Sequence, residues 1–132
     1  MIDFVKSFNE GLTSANIVQN NIDEIGSVFI ELNNQLNSAT GGKVQIYIAG
    51  SGSVIAACNP LLKKDNSKRL GQWSQHPKGY PCKITIGNTE YVCEDKEALE
   101  LALANMLQDP SVGESLKTLL SLTPEQIDEE RK

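Results

Sequence analysis

Cys58, Cys82, Cys93 and His76 are all the cysteines and the only histidine of the chain, and they fall within one stretch, residues 58–93. Thiolates and imidazole suit zinc, and a Cys3His set would complete a tetrahedral site. Structural zinc sites are usually built on a close C-x2-4-C pair, which this chain lacks; its cysteines lie in apolar, strand-like segments instead. A thiol nucleophile would need His76 as its base beside Cys58 or Cys82, and no spacing marks a third partner. The run from Gly50 to Ile55 opens like a dinucleotide fingerprint, but Ile55 stands where the third glycine belongs and β-branched residues follow where a helix should start. The expectation is therefore no catalytic residue, no metal and no cofactor, with three reduced thiols, an odd number that suits no disulfide framework.

A second constellation overlaps the first. Lys63, Lys64, Lys68, Arg69 and Lys78 face only one acid, Asp65, between residues 63 and 80, and Trp73, His76 and Tyr80 are interleaved with them. Cations alternating with aromatics could grip a phosphate backbone and stack a base. The same residues could form a protein hot spot, in which a large aromatic anchors the contact. The plain structural alternative is a solvated loop whose Trp73 folds back as a lid over the core. Lys63, Lys64, Lys68, Arg69, Trp73, His76 and Tyr80 are the candidate partner-binding residues.

Charge favours protein over nucleic acid. The chain of 132 residues carries a net charge of −5, so the remainder is strongly acidic and repels a polyanion. Ten acids against four bases follow residue 93, a surface that would attract a basic partner. A hydrophobic fraction of 39% and a charged fraction of 22% are those of a folded domain. Asp3 stands where a secretory signal would carry positive charge, and no run approaches the roughly 20 apolar residues of a membrane span. These features predict a soluble, cytoplasmic protein with no membrane partner.

The elements that must position these residues begin with a long amphipathic stripe: Val5, Phe8, Leu12, Ala15, Val18, Ile22, Ile25, Phe29, Leu32 and Leu36. Its steps alternate three and four residues, with a doubled three-residue step between Leu12 and Val18 that resembles a coiled-coil stammer. One helix is expected, or two (2–10 and 14–38) if Thr13 or Ser14 caps a new start. The stripe is longer than a small core can cover, so Phe8, Leu12, Ile22, Ile25, Phe29 and Leu32 are the candidate interface of a homodimer.

Alternation over 43–49 and the small apolar run 53–58 predict one hairpin. A second, 82–86 with 89–93, turns at Gly87-Asn88, and its register opposes Cys82 to Cys93. That opposition permits a disulfide sterically, but in a hydrogen-bonded pair whose side chains diverge; buried free thiols are the favoured reading. Between the hairpins, residues 59–81 read as a long loop. Asp95 caps one helix, Asp109-Pro110 starts another, and Thr123 to Gln126 signs a last short helix or charged tail.

The fold class expected is α+β in a single domain: an N-terminal helical segment (1–40), an antiparallel sheet of about four strands in two hairpins (43–93), and two or three C-terminal helices with a charged tail (94–132). Size, charge and class are those of small secretion chaperones and immunity proteins, a likeness of composition alone. The function expected is a non-enzymatic protein-binding module that neutralises or escorts a partner. Nucleic-acid or phosphate binding through 63–80, and a small Cys/His enzyme or zinc protein, are the alternatives.

Overall fold

Asp3 caps the first helix, α1 (Phe4–Thr40), by accepting from the Lys6 N–H at 3.0 Å, and Gly41 ends it in the left-handed region at φ 65°. The structure, a computed structural model, describes residues 1–123. The helix is continuous through Gly11 to Asn16, where the sequence allows a break. Thr13 explains why: its hydroxyl donates back to the Asn9 carbonyl at 3.1 Å, so it serves the helix already running and caps no new one. At 1.5 Å per residue α1 is about 55 Å long.

Five antiparallel strands follow in chain order, β1 (Gln45–Ala49), β2 (Val54–Cys58), β3 (Lys68–His76), β4 (Gly79–Ile86) and β5 (Thr89–Cys93). The last hairpin has the expected register, with Ile86 opposite Thr89, Ile84 opposite Tyr91 and Cys82 opposite Cys93. The expectation of about four strands and a long 59–81 loop is corrected. Most of that segment is β3, the turn and the start of β4. Pro77 presets φ for the turn and Gly79, at φ 96°, supplies a conformation that other residues avoid. Only 59–67 remains as a connection. It is clamped by the Asn66 amide, which accepts from the Asn59 N–H at 2.7 Å and donates to the Asn59 carbonyl at 3.1 Å.

Two helices complete the described chain, α2 (Lys96–Gln108) and α3 (Pro110–Ser121). Asp95 caps α2 by accepting from the Ala98 N–H at 2.8 Å, and Asp109 caps α3 with Pro110 in its first turn. The tail expected beyond Thr123 lies outside the described residues. The second half of α1, with α2 and α3, covers one face of the sheet. Ile46, Ile55, Ile84, Leu99, Met106 and Leu119 are fully enclosed between the layers. The opposite face shows Arg69, Gln72, Ser74, Lys83 and Glu90 to solvent. No helix among the described residues is long and apolar enough to cross a membrane.

Candidate partner-docking site

The apolar residues of α1 do two different jobs. From Ile25 onward the helix lies against the sheet: Ile25 and Val28 are buried, and Phe29, Leu32 and Leu36 pack beside them. Before Val18 every residue is exposed. Phe4, Val5, Phe8 and Leu12 keep 72%, 69%, 65% and 51% of their surface in solvent, on an arm about 20 Å long. Helical geometry shows why the body does not cover them. At about 100° per residue, the direction shared by Phe4, Val5, Phe8, Leu12 and Ala15 is turned roughly 100° from that shared by Ile25, Val28, Phe29, Leu32 and Leu36. A stripe with a mean step below 3.6 residues winds around its helix, so one flat sheet meets only part of it.

The six residues expected at an oligomer interface are therefore divided. Ile25, Phe29 and Leu32 are corrected to the core, because their turn of the helix faces the sheet; Phe8 and Leu12 are fully available, and Ile22 is at the margin, 37% exposed. Phe4, absent from the expected set, belongs to the arm. Its place four residues before Phe8 is the signal that it shares that face.

The basic and aromatic residues of 63–80 do not form one surface, and strand geometry is the reason. Alternation along β3 is shifted by the bulge at Leu70, so Arg69 projects from the open face although Trp73, four residues further on, enters the core. The Trp73 ring meets Phe29 edge-on, with centroids 5.4 Å apart. As a candidate partner anchor Trp73 is corrected to a core residue; the lid alternative expects its burial, but on a loop, whereas it lies within β3. Tyr80 is half-buried, and its hydroxyl donates to the Glu24 carboxylate of α1 at 2.7 Å. Burial, then that carboxylate, push its phenol well above the usual tyrosine range. His76 sits exposed at the hairpin tip, where Nδ1 accepts from the Lys78 N–H at 3.0 Å. Lys63 and Lys64 are on the 59–67 connection, and Lys68 opens β3.

Cys82 and Cys93 are likewise enclosed, whereas His76 is exposed. Cys82 and Cys93 are free, fully buried and opposed on the inner face, while Cys58 is half-buried at the end of β2. Burial, followed by the neighbouring Cys93, pushes the Cys82 thiol up to about 12, and burial raises Cys93 and Cys58 as well. Nucleophilic and metal-binding cysteine is thiolate, so these environments suit packing rather than chemistry. Among the described residues no three His, Cys, Asp or Glu side chains gather to hold a metal ion.

One further concavity, about 270 Å³, lies between α1 and α2, with Val28, Leu32 and Leu103 inside and Glu31, Glu100 and Lys96 at its rim. It is small beside the arm. Comparison with protein-family models, with curated proteins and with solved structures finds no match. The fold and surface define a class by themselves: an α+β protein whose five-stranded antiparallel sheet is covered on one face by helices, the first of which extends beyond the core as an apolar arm.

Proposed function

We propose that the protein is a non-enzymatic protein-binding module of the immunity or chaperone type, which neutralises or escorts another protein docked on the projecting half of α1. One observation carries the reading. Phe4, Val5, Phe8 and Leu12 form an apolar patch on a rigid helix that its own body does not cover, and patches of this kind mark interaction sites. Large side chains presented at helical spacing suit helix-in-groove or helix-on-helix recognition. The acidic body favours a partner with basic character around its apolar contact. Free thiols fit a reducing cytoplasm, and a homodimer is one form in which the arm would be stored.

The test is a photo-crosslinking residue at position 12, used in the native host and read by mass spectrometry. One recurrent partner is expected. Once purified, that partner should bind the intact protein with a micromolar or tighter Kd and lose about tenfold or more with Phe8→Asp. A partner whose affinity ignores Phe8→Asp and whose crosslinks map to the open face of the sheet rejects the arm as the docking site.

A further inference from the structure

We infer that in the free protein the arm is covered by the arm of a second copy, the two running antiparallel about Phe8. This rests on the reading of the arm as a docking surface and names its resting occupant, so a partner would have to displace the copy.

Area is the first argument. Phe4, Val5, Phe8 and Leu12 are each more than half exposed, and Met1 and Ile2 are exposed beside them. At roughly 100 Å² for each of these six side chains, one arm offers about 600 Å² and a pair about 1,200 Å², the lower end of specific interfaces. Pairing helical residues whose numbers sum to 16 sets Phe8 against Phe8 and Phe4 against Leu12. Val5 then lies on the same flank of the seam as Leu12 of the other arm. Every large apolar residue of the stripe gains a neighbour, as an isologous two-fold contact requires.

Charge is the second argument, and it also sets the direction. Asp3, Lys6 and Glu10 are the only charged side chains before Asp23, and helical geometry puts Lys6 and Glu10 on the side away from the stripe. The stripe is flanked by Asn9, Asn16, Gly11 and Ser7, so no like charges meet across the seam. Each chain carries −5. A parallel pair would set two acidic bodies side by side, whereas antiparallel arms hold them at opposite ends, beyond the roughly 8 Å over which salt leaves charges in contact. A membrane surface fits less well, because helices lying on lipid carry several cations and this arm carries Lys6 against two acids.

The experiment uses the full chain without any partner. Light scattering should give a two-chain mass at concentrations on the order of 100 µM, falling towards one chain on dilution, and Phe8→Asp should give one chain throughout with an unchanged circular dichroism spectrum. Orientation is read by disulfide trapping in a Cys58→Ser background. Phe4→Cys mixed with Leu12→Cys should give the mixed disulfide in preference to either self-disulfide. A one-chain mass across the range, a two-chain mass that survives Phe8→Asp, or dominant self-disulfides would each overturn the inference. So would an arm shielded from labelling at Leu12→Cys only when lipid vesicles are added. None of these results depends on partner capture, so the docking function and the resting pair can fail separately.

Discussion

Asn33 on α1 and Ile46 on β1 exchange two hydrogen bonds, the Asn33 Oδ1 accepting from the Ile46 N–H and its Nδ2 donating to the Ile46 carbonyl, both at 2.8 Å. β1 is an edge strand, and at Ile46 its peptide groups point away from β2 toward the helix. The carboxamide acts there as one rung of a missing strand, satisfying a buried position and closing part of the edge to other chains. Asn33→Leu should leave both groups buried and unpaired, at about 1 to 3 kcal/mol each. Urea denaturation should show a loss of about 2 to 6 kcal/mol, accompanied by concentration-dependent aggregation. A stability within 0.5 kcal/mol of wild type, roughly the scale of a neutral surface change, would remove the edge-capping role.

Asparagine also marks where the sequence was hard to read. On a helix, Asn33 and Asn21 count as weak helix formers; in the fold they brace other elements, Asn21 donating to the Lys78 carbonyl at 3.2 Å. Such bonds join residues far apart in sequence, and no local pattern announces them. The helices, the β1–β2 hairpin and the Cys82–Cys93 register were legible, because period and turn chemistry are local. β3 was hidden by a bulge opposite Ile55 and Ala56 that interrupts its alternation near Leu70. Losing that strand turned an alternating set of cations and aromatics into an apparent single surface. The arm was legible as an excess of apolar stripe, but which turns would be covered depended on where the sheet stopped.

The two halves of α1 should therefore respond differently to mutation. At concentrations where chains are single, Phe8→Asp and Leu12→Asp should change unfolding free energy by no more than about 0.5 kcal/mol. Phe29→Ala, which removes the ring packed on Trp73, should cost about 2 to 4 kcal/mol. Deleting 1–16 should leave a cooperative melt, whereas deleting 1–38 removes one wall of the core and should abolish it. Thermal melts of the five variants decide the matter, and a strongly destabilised arm variant would mean the arm contributes to the core after all.

Two glycines position the segment that the sequence presented as a loop. A Cβ on Gly71 would lie 2.6 Å from the Thr85 carbonyl oxygen and against the Ile86 side chain, and a Cβ on Gly79 would lie 2.7 Å from that of Asn21. Gly71→Ala must push β3 from β4, and Gly79→Ala must also strain a backbone at φ 96°. Each should lower stability by about 2 kcal/mol, Gly79→Ala by more. Gly52→Ala is a control that isolates backbone strain, since φ is also positive there, 87°, but no atom lies within 4 Å. Equal losses at all three positions would show that close packing of the hairpin against α1 and β4 adds nothing.

The buried thiols give the protein an alkaline limit. An unfolded chain releases cysteine protons near pH 9, while the folded chain holds the Cys82 proton up to about 12 and raises Cys93, Cys58 and the Tyr80 phenol in the same direction. Above pH 9 the unfolded state thus binds fewer protons than the folded one, so unfolding free energy falls as pH rises, and the contribution is complete only below that range. Urea midpoints should be flat in this respect from pH 7 to about 8.5 and decline steadily from about 9 to 11. Cys82→Val removes one titrating group at similar volume and should reduce the slope, and Tyr80→Phe should reduce it further. The same environments predict an order of labelling at pH 8: Cys58 first in the native protein, Cys82 and Cys93 only as urea unfolds it. Midpoints that rise with pH, or rapid native labelling of Cys82, would mean that the inner face of the last hairpin is open to water.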